Sequence, residues 1–295
     1  MQRSLVGSEM CIRDRYMGEF SLGHAGFMSI GAYASAIVTT LIQDQTDLPA
    51  VLLYLIAIIV GGLAAGLIGV LVGIPALRLS GDYLCIVTVA VAEIVRVVLS
   101  NFGIPAITGK ATFGKSFAGI AKVSDYHYVY ITMVICIFVM YCYIRSRYGR
   151  ALIAIREDRI AAAASGINVT KTKVLTFTIS AFFAGVSGAI YAHYITTLVP
   201  TYFNFSKSSE FLAIVILGGS GSLTGSIVAA PILSALPQLI SYVVPAFASY
   251  RMLIYAIILV VVMIFKPTGL FGGREFSLPK LIDKITKKKT PKEKR

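Results

Sequence analysis

The chain has 295 residues, 57% of them hydrophobic and 14% charged, with a mean hydropathy of +0.80. Soluble domains carry about 25% charged residues, so this composition excludes a soluble globular protein and points to a membrane, with lipid as the surrounding partner. The net charge of +13 is clustered: 17 of the 27 Lys and Arg fall either between Arg145 and Lys173 or between Lys266 and Arg295.

Next to apolar spans, such clusters read as cytoplasmic segments under the positive-inside rule, not as nucleic-acid sites. Residues 1–15 contain Arg3, Glu9, Arg13, Asp14 and Arg15 and no apolar run of signal-peptide length. Leu5 to Arg15 reads as the translation of a transposon-end sequencing adapter, so 1–15 is set aside as a non-native segment and the native fragment is expected to start near Tyr16. Residues 16–270 are then a transmembrane domain and 271–295 a basic cytoplasmic tail.

A membrane helix needs roughly 20 apolar residues. Clear candidates in chain order are Leu22 to Ile42, Pro49 to Ile74, Tyr126 to Ile144, Val174 to Val199, Leu223 to Val244 and the shorter Arg251 to Phe265. Tyr83 to Leu99 is doubtful because it carries Glu93 and Arg96, and Phe211 to Leu217 because it is very short. If both basic clusters are cytoplasmic, an even number of crossings separates Lys173 from Lys266, and the short run must also cross. The expected fold is an all-α polytopic bundle with eight crossings, in which Gly218 to Gly225 (GGSGSLTG) is a turn buried at membrane depth. The segment Asn101 to Asp125 then faces outward although it carries Lys110, Lys115 and Lys122.

Trp is absent, so interfacial anchoring falls to tyrosines such as Tyr126, Tyr128, Tyr130, Tyr141 and Tyr143 around one span. Glu93 and Arg96 stand three apart on one helix face, close enough to pair. They read either as a structural ion pair or as part of a polar translocation path. His24 and His193 sit among small residues without a partner at metal-ligand spacing, and the four cysteines form no metal or disulfide pattern. GGSGSLTG fails as a phosphate cradle because it lacks the Gly-Lys-Ser/Thr of a Walker A loop. No cofactor and no enzymatic chemistry are expected on this chain, and any ATP dependence must come from another subunit.

Arg145 to Lys173 is the most informative stretch. Ala151 to Ala164 is rich in helix formers and Gly166 stands where a helix would end. Two spans are therefore joined by a soluble helical hairpin carrying Arg156, Glu157, Asp158 and Arg159 beside the small AAAASG surface.

Four stretches carry a resemblance: GEFSLGHAGFMSIGAYASA (Gly18 to Ala36), GIPALRLSGDYLCIVTVAVAEIVR (Gly73 to Arg96), GRALIAIREDRIAAAASGINVTKTKVL (Gly149 to Leu175), and Ser180 to Gly225. In these the chain resembles the LivM-type permease subunits of branched-chain amino acid ABC importers. That resemblance implies two further spans ahead of Tyr16, hence ten in the parent. It also implies a LivH-like permease partner, two cytoplasmic ATPase subunits and a periplasmic binding protein met near Asp47, Gly109 and Thr201. The hairpin would couple to the ATPase through Arg150, Arg156, Glu157, Asp158, Arg159, Ala162, Ala163 and Gly166. Ser21, His24, Glu93, Arg96 and Ser187 are path candidates by polarity and position. Urea or short-amide permeases and an ion-coupled secondary transporter are the alternative readings; the latter usually keeps paired mid-membrane carboxylates, and here Glu93 is alone in the clear and doubtful spans.

Overall fold

The computed structural model describes residues 5–7, 10, 21–45, 49–77, 82–101, 117–118, 126–219 and 223–243, together with 256, 257, 260, 261, 264 and 265. Its elements in order are α1 (His24–Gln45), α2 (Ala50–Ala76), α3 (Asp82–Asn101), β1 (Phe117–Ala118) and α4 (Tyr126–Arg145). They continue as α5 (Arg147–Glu157), α6 (Arg159–Ala164), α7 (Val169–Ile195), β2 (Thr197–Leu198), a 3-10 turn (Pro200–Phe203), α8 (Phe205–Gly219) and α9 (Leu223–Val243).

Among the described residues five helices, α1, α2, α3, α4 and α7, are long and apolar enough to cross a membrane, with apolar stretches of 19 to 27 residues. At 1.5 Å per residue these reach about 28 to 40 Å, against a hydrocarbon core of about 30 Å. The doubtful segment around Glu93 and Arg96 is thus a full-length helix. The FLAIVIL run lies within α8, whose 15 residues rise only about 22 Å. α9 contains Pro231 and Pro237, and its apolar stretch, Thr224–Leu239, is also short. Most of the Arg251 to Phe265 segment and the whole of the tail lie outside the described residues.

Two expectations need correction. α7 begins at Val169, five residues before the expected Val174, because Asn168 caps it: the Asn168 Oδ1 accepts from the Lys171 N–H at 3.0 Å. It ends at Ile195, where Thr196 takes a left-handed φ of 61°, so the expected end at Val199 lies beyond the helix, just after the strand Thr197–Leu198. That strand pairs antiparallel with β1, Phe117 opposite Leu198 and Ala118 opposite Thr197. The all-α fold therefore carries a small two-stranded ribbon. It ties the connection after α3 to the end of α7 farthest from the hairpin.

The bundle is organised around α7, with α1 and α2 packed against it and against each other. No hydrophobic force drives helices together in lipid, so close backbone approach through small residues does the work. A Cβ on Gly31 would stand 2.2 Å from the Gly185 carbonyl oxygen, one on Gly61 2.8 Å from that of Gly31, and one on Gly188 1.9 Å from that of Met28. Nearer the hairpin, Phe27 meets Phe177 edge to face with centroids 5.6 Å apart. Leu5, Val6 and Met10, in the segment set aside at the start of the chain, are also buried.

The outer surface is apolar. Leu63, Leu67 and Leu71 on α2, Ile86 and Ile94 on α3, and Val134 and Phe138 on α4 are all more than half exposed. In water this surface would be unstable; facing lipid or another membrane subunit it needs no polar cover.

Candidate functional site

Two features stand at opposite ends of the bundle: the α5–α6 hairpin and an aromatic cavity. The hairpin leaves α4 in a tight turn. The Ser146 hydroxyl donates to the Tyr143 carbonyl at 2.6 Å, and Gly149 is pressed so closely on Ile144 that a Cβ would stand 1.9 Å from its carbonyl oxygen. Gly149, Leu152 and Ile155 then bury one face of α5.

The expected single helix from Ala151 to Ala164 is two helices, broken at Asp158. That residue is extended (φ −151°, ψ 112°), and its carboxylate accepts from the backbone N–H of Ile160 at 2.7 Å and of Ala161 at 3.0 Å, starting α6. An Asp is poor inside a helix and strong at an N-cap, which is why the chain breaks here. Gly166 ends α6 as expected: it sits at φ 83°, its N–H donates to Ala163, and the Ile167 N–H donates to Ala162. These are the two bonds of a Schellman motif.

The hairpin therefore has a defined shape. Ala162 is buried, whereas Ile160 is 82% exposed and Ala161, Ala163 and Ala164 are exposed around it. Arg150, Arg156, Glu157, Asp158 and Arg159 are exposed as well, giving an apolar knob within a ring of mixed charge. At its base the Tyr143 hydroxyl lies 2.9 Å from Thr176 Oγ1, and the rings of Tyr143 and Tyr148 stack at 6.4 Å. α4, α5 and α7 are thus linked where the hairpin joins them.

The other candidate residues divide into two groups. Ser21, His24 and Ser187 are fully buried. The chain enters α1 through non-helical residues 21–23, where the Leu22 N–H donates to Thr88 Oγ1 at 3.3 Å and the Ala25 N–H to Ser208 Oγ at 3.4 Å. Hydroxyls from α3 and α8 thereby satisfy helix-start donors inside the bundle. Glu93 and Arg96 do pair, Arg96 Nε donating to Glu93 Oε1 at 2.8 Å. Their side chains remain 44% and 26% exposed on the side of α3, so the structure does not gather them with the buried group. His193 is held by Thr39 Oγ1 and the Ala189 carbonyl, both at 2.8 Å. No cluster of metal-ligating side chains occurs among the described residues.

Gly218 and Gly219 are buried, and a Cβ on Gly218 would stand 2.7 Å from the Gly225 carbonyl carbon, so the limbs of the glycine-rich turn touch. Residues 220–222 at its tip, and the sites Asp47 and Gly109, lie outside the described residues. Thr201 is exposed in the 3-10 turn.

The cavity was not evident from the sequence. It encloses about 580 Å³ at the end of α7 remote from the hairpin, walled by Met28, Tyr191, Tyr202, Phe203 and Phe211. Polar groups on its lining include Lys207, Ser234 and Gln238. Lys207 Nζ donates to Glu210 Oε2 at 2.8 Å one turn along α8.

Residues 7–263 match the family described as branched-chain amino acid transport system / permease component. Similar proteins include the high-affinity branched-chain amino acid transport system permease protein LivM of Escherichia coli, 34% identical over 86% of this chain and 64% of its own length. The probable branched-chain amino acid transport permease protein LivM of Methanocaldococcus jannaschii is 23% identical over 90% of this chain and 81% of its own. The E. coli permease protein LivH is 31% identical over 48% of this chain and 44% of its own. The chain spans less than two thirds of the length of the bacterial LivM relatives. No solved structure matches it significantly.

Proposed function

Since the chain belongs to the permease-component family of branched-chain amino acid transport systems, we propose that it is the LivM-type membrane subunit of an ABC importer for leucine, isoleucine and valine. It pairs with a LivH-like permease, and two cytoplasmic ATPases drive it while a periplasmic binding protein supplies the amino acid. The bundle crosses the inner membrane eight times in this chain, with the α5–α6 hairpin and the C-terminus in the cytoplasm. The observation that carries the reading is the hairpin: a short helix capped at both ends, anchored to the spans by one face and exposing an apolar knob at Ile160.

In this mechanism the knob and Ala163 seat in a cleft of the ATPase, with Arg150, Arg156, Glu157 and Arg159 around the rim and Asp158, Ala162 and Gly166 holding α6 in shape. Burying an exposed isoleucine contributes about 1.5–3 kcal/mol, enough to make the contact depend on that one residue. ATP-driven closure of the two ATPases displaces the hairpin, and the Tyr143–Thr176 bond and the Asn168 cap pass the displacement to α4 and α7. α7 meets α1 and α2 backbone to backbone at Gly31, Gly61 and Gly185. Close-packed contacts deform little, so the three helices shift as a body and open or close the far end. Ser21, His24 and Ser187 lie along the buried inner route, and the Glu93–Arg96 pair serves α3.

The test is reconstitution in cells that cannot take up leucine. This chain, expressed with a LivH-like permease, the ATPases and the binding protein, is expected to restore ATP-dependent uptake and to co-purify with the ATPases. Uptake by this chain in vesicles without any ATPase would refute the importer reading in favour of an ion-coupled carrier.

A further inference from the structure

The cavity at the far end of α7 combines three properties that no transport-family name assigns to particular residues. Its volume of about 580 Å³ lies within the roughly 300–1,000 Å³ typical of small-molecule sites. Met28, Phe203 and Phe211 are almost fully buried behind its surface, giving an apolar wall from α1, the 3-10 turn and α8. Among the described residues its lining includes one cation, Lys207, whose Nζ is steadied by Glu210. An ammonium group has three donors, and the bond to Glu210 uses one.

We propose that this cavity binds the amino acid in transit, with Lys207 as the group that takes its α-carboxylate. The inference rests on the importer reading and deepens it by naming the residue that recognises the cargo. Glu210 fixes the direction of Lys207 and leaves two N–H donors for the carboxylate. The ligand's ammonium meets neutral acceptors across the cavity: Gln238 offers an amide oxygen, and Ser234, whose hydroxyl donates to the Ala230 carbonyl at 2.6 Å, keeps its lone pairs. The aliphatic side chain lies on Met28, Phe203 and Phe211. A site of this design accepts zwitterions with apolar side chains and rejects molecules that lack the carboxylate, since Lys207 would then lose a charge-assisted bond.

The experiment uses the assembled transporter in membranes, with Ile195→Cys as a reporter on the cavity wall. Labelling by a charged, membrane-impermeant methanethiosulfonate is measured over the background of the unaltered chain. L-leucine is expected to slow labelling, whereas leucinol, which keeps the ammonium and side chain but lacks the carboxylate, does not. Lys207→Met is expected to raise the leucine concentration for half-protection by about tenfold or more, with Lys207→Arg restoring most of it. Labelling at the parental rate without ligand shows that each variant keeps the cavity. Equal protection by leucine and leucinol, or protection unchanged in Lys207→Met, overturns the proposal. Either result alongside normal leucine uptake leaves the importer reading standing, while absence of uptake by the unaltered transporter removes that reading itself.

Discussion

Asp158→Ala tests how the hairpin keeps its shape. The substitution removes both cap bonds, 2.7 Å to the Ile160 N–H and 3.0 Å to the Ala161 N–H, on a residue exposed enough that no cavity is created. Loss of such a cap costs about 0.5–2 kcal/mol, and α6 has only six residues with one buried side chain to resist fraying. Each kcal/mol shifts a local opening equilibrium about fivefold, so amide exchange across 160–164 should accelerate by about two- to thirtyfold. α5, held by Leu152 and Ile155, should exchange as before. Hydrogen exchange read by mass spectrometry on the assembled transporter measures this directly, with leucine uptake measured in parallel and expected to fall. Asp158→Asn keeps a capping oxygen and should retain both protection and uptake. Unchanged exchange in Asp158→Ala, or lost uptake in Asp158→Asn at normal protection, would refute capping as the role of this residue.

Ala163→Asp, on the exposed side of α6, should abolish uptake while the protein still inserts and co-assembles with its membrane partner, as read by membrane fractionation; normal uptake would remove the docking role. Gly185→Val should cut the yield of monodisperse protein sharply, because its Cβ would lie 2.4 Å from Ala65 Cβ and 2.7 Å from the Gly61 carbonyl oxygen. Gly66→Ala, whose Cβ would meet Phe182 at an ordinary 3.6 Å, should be tolerated within about 1 kcal/mol in thermal denaturation. Glu93→Gln keeps an amide oxygen to accept from Arg96 and should leave uptake within about twofold; a loss of uptake beyond tenfold would place α3's charged face in the path.

The five long spans are legible because apolar length is a local property, and the Glu93–Arg96 pair because three-residue spacing forces the two side chains together. Gly166 is legible for the same reason: a helix end needs a residue that tolerates positive φ. The break at Asp158 is harder to see. Ala151 to Ala164 contains helix formers on both sides, and only the placement of an aspartate immediately before Arg-Ile-Ala-Ala marks a new start. The early start of α7 was signalled by Asn168, a capping residue, but the apolar run that defines the span begins later. What no local pattern carries is the cavity. Its wall is drawn from α1, α4, α7, the 3-10 turn, α8 and α9, and Lys207 does not stand out in the sequence because most of its neighbours in the cavity lie far away along the chain. The face of α3 on which Glu93 and Arg96 lie is likewise set by packing, through Ala92 against Gly26.

Side-specific labelling of Ile160→Cys is the most direct measurement. In vesicles of known orientation holding this chain and its membrane partner without the ATPases, an impermeant thiol reagent should reach this position only from the cytoplasmic side, and in the whole transporter a short bifunctional cross-linker there should capture an ATPase subunit. Labelling from the periplasmic side, or cross-linking to the binding protein instead, would contradict the account.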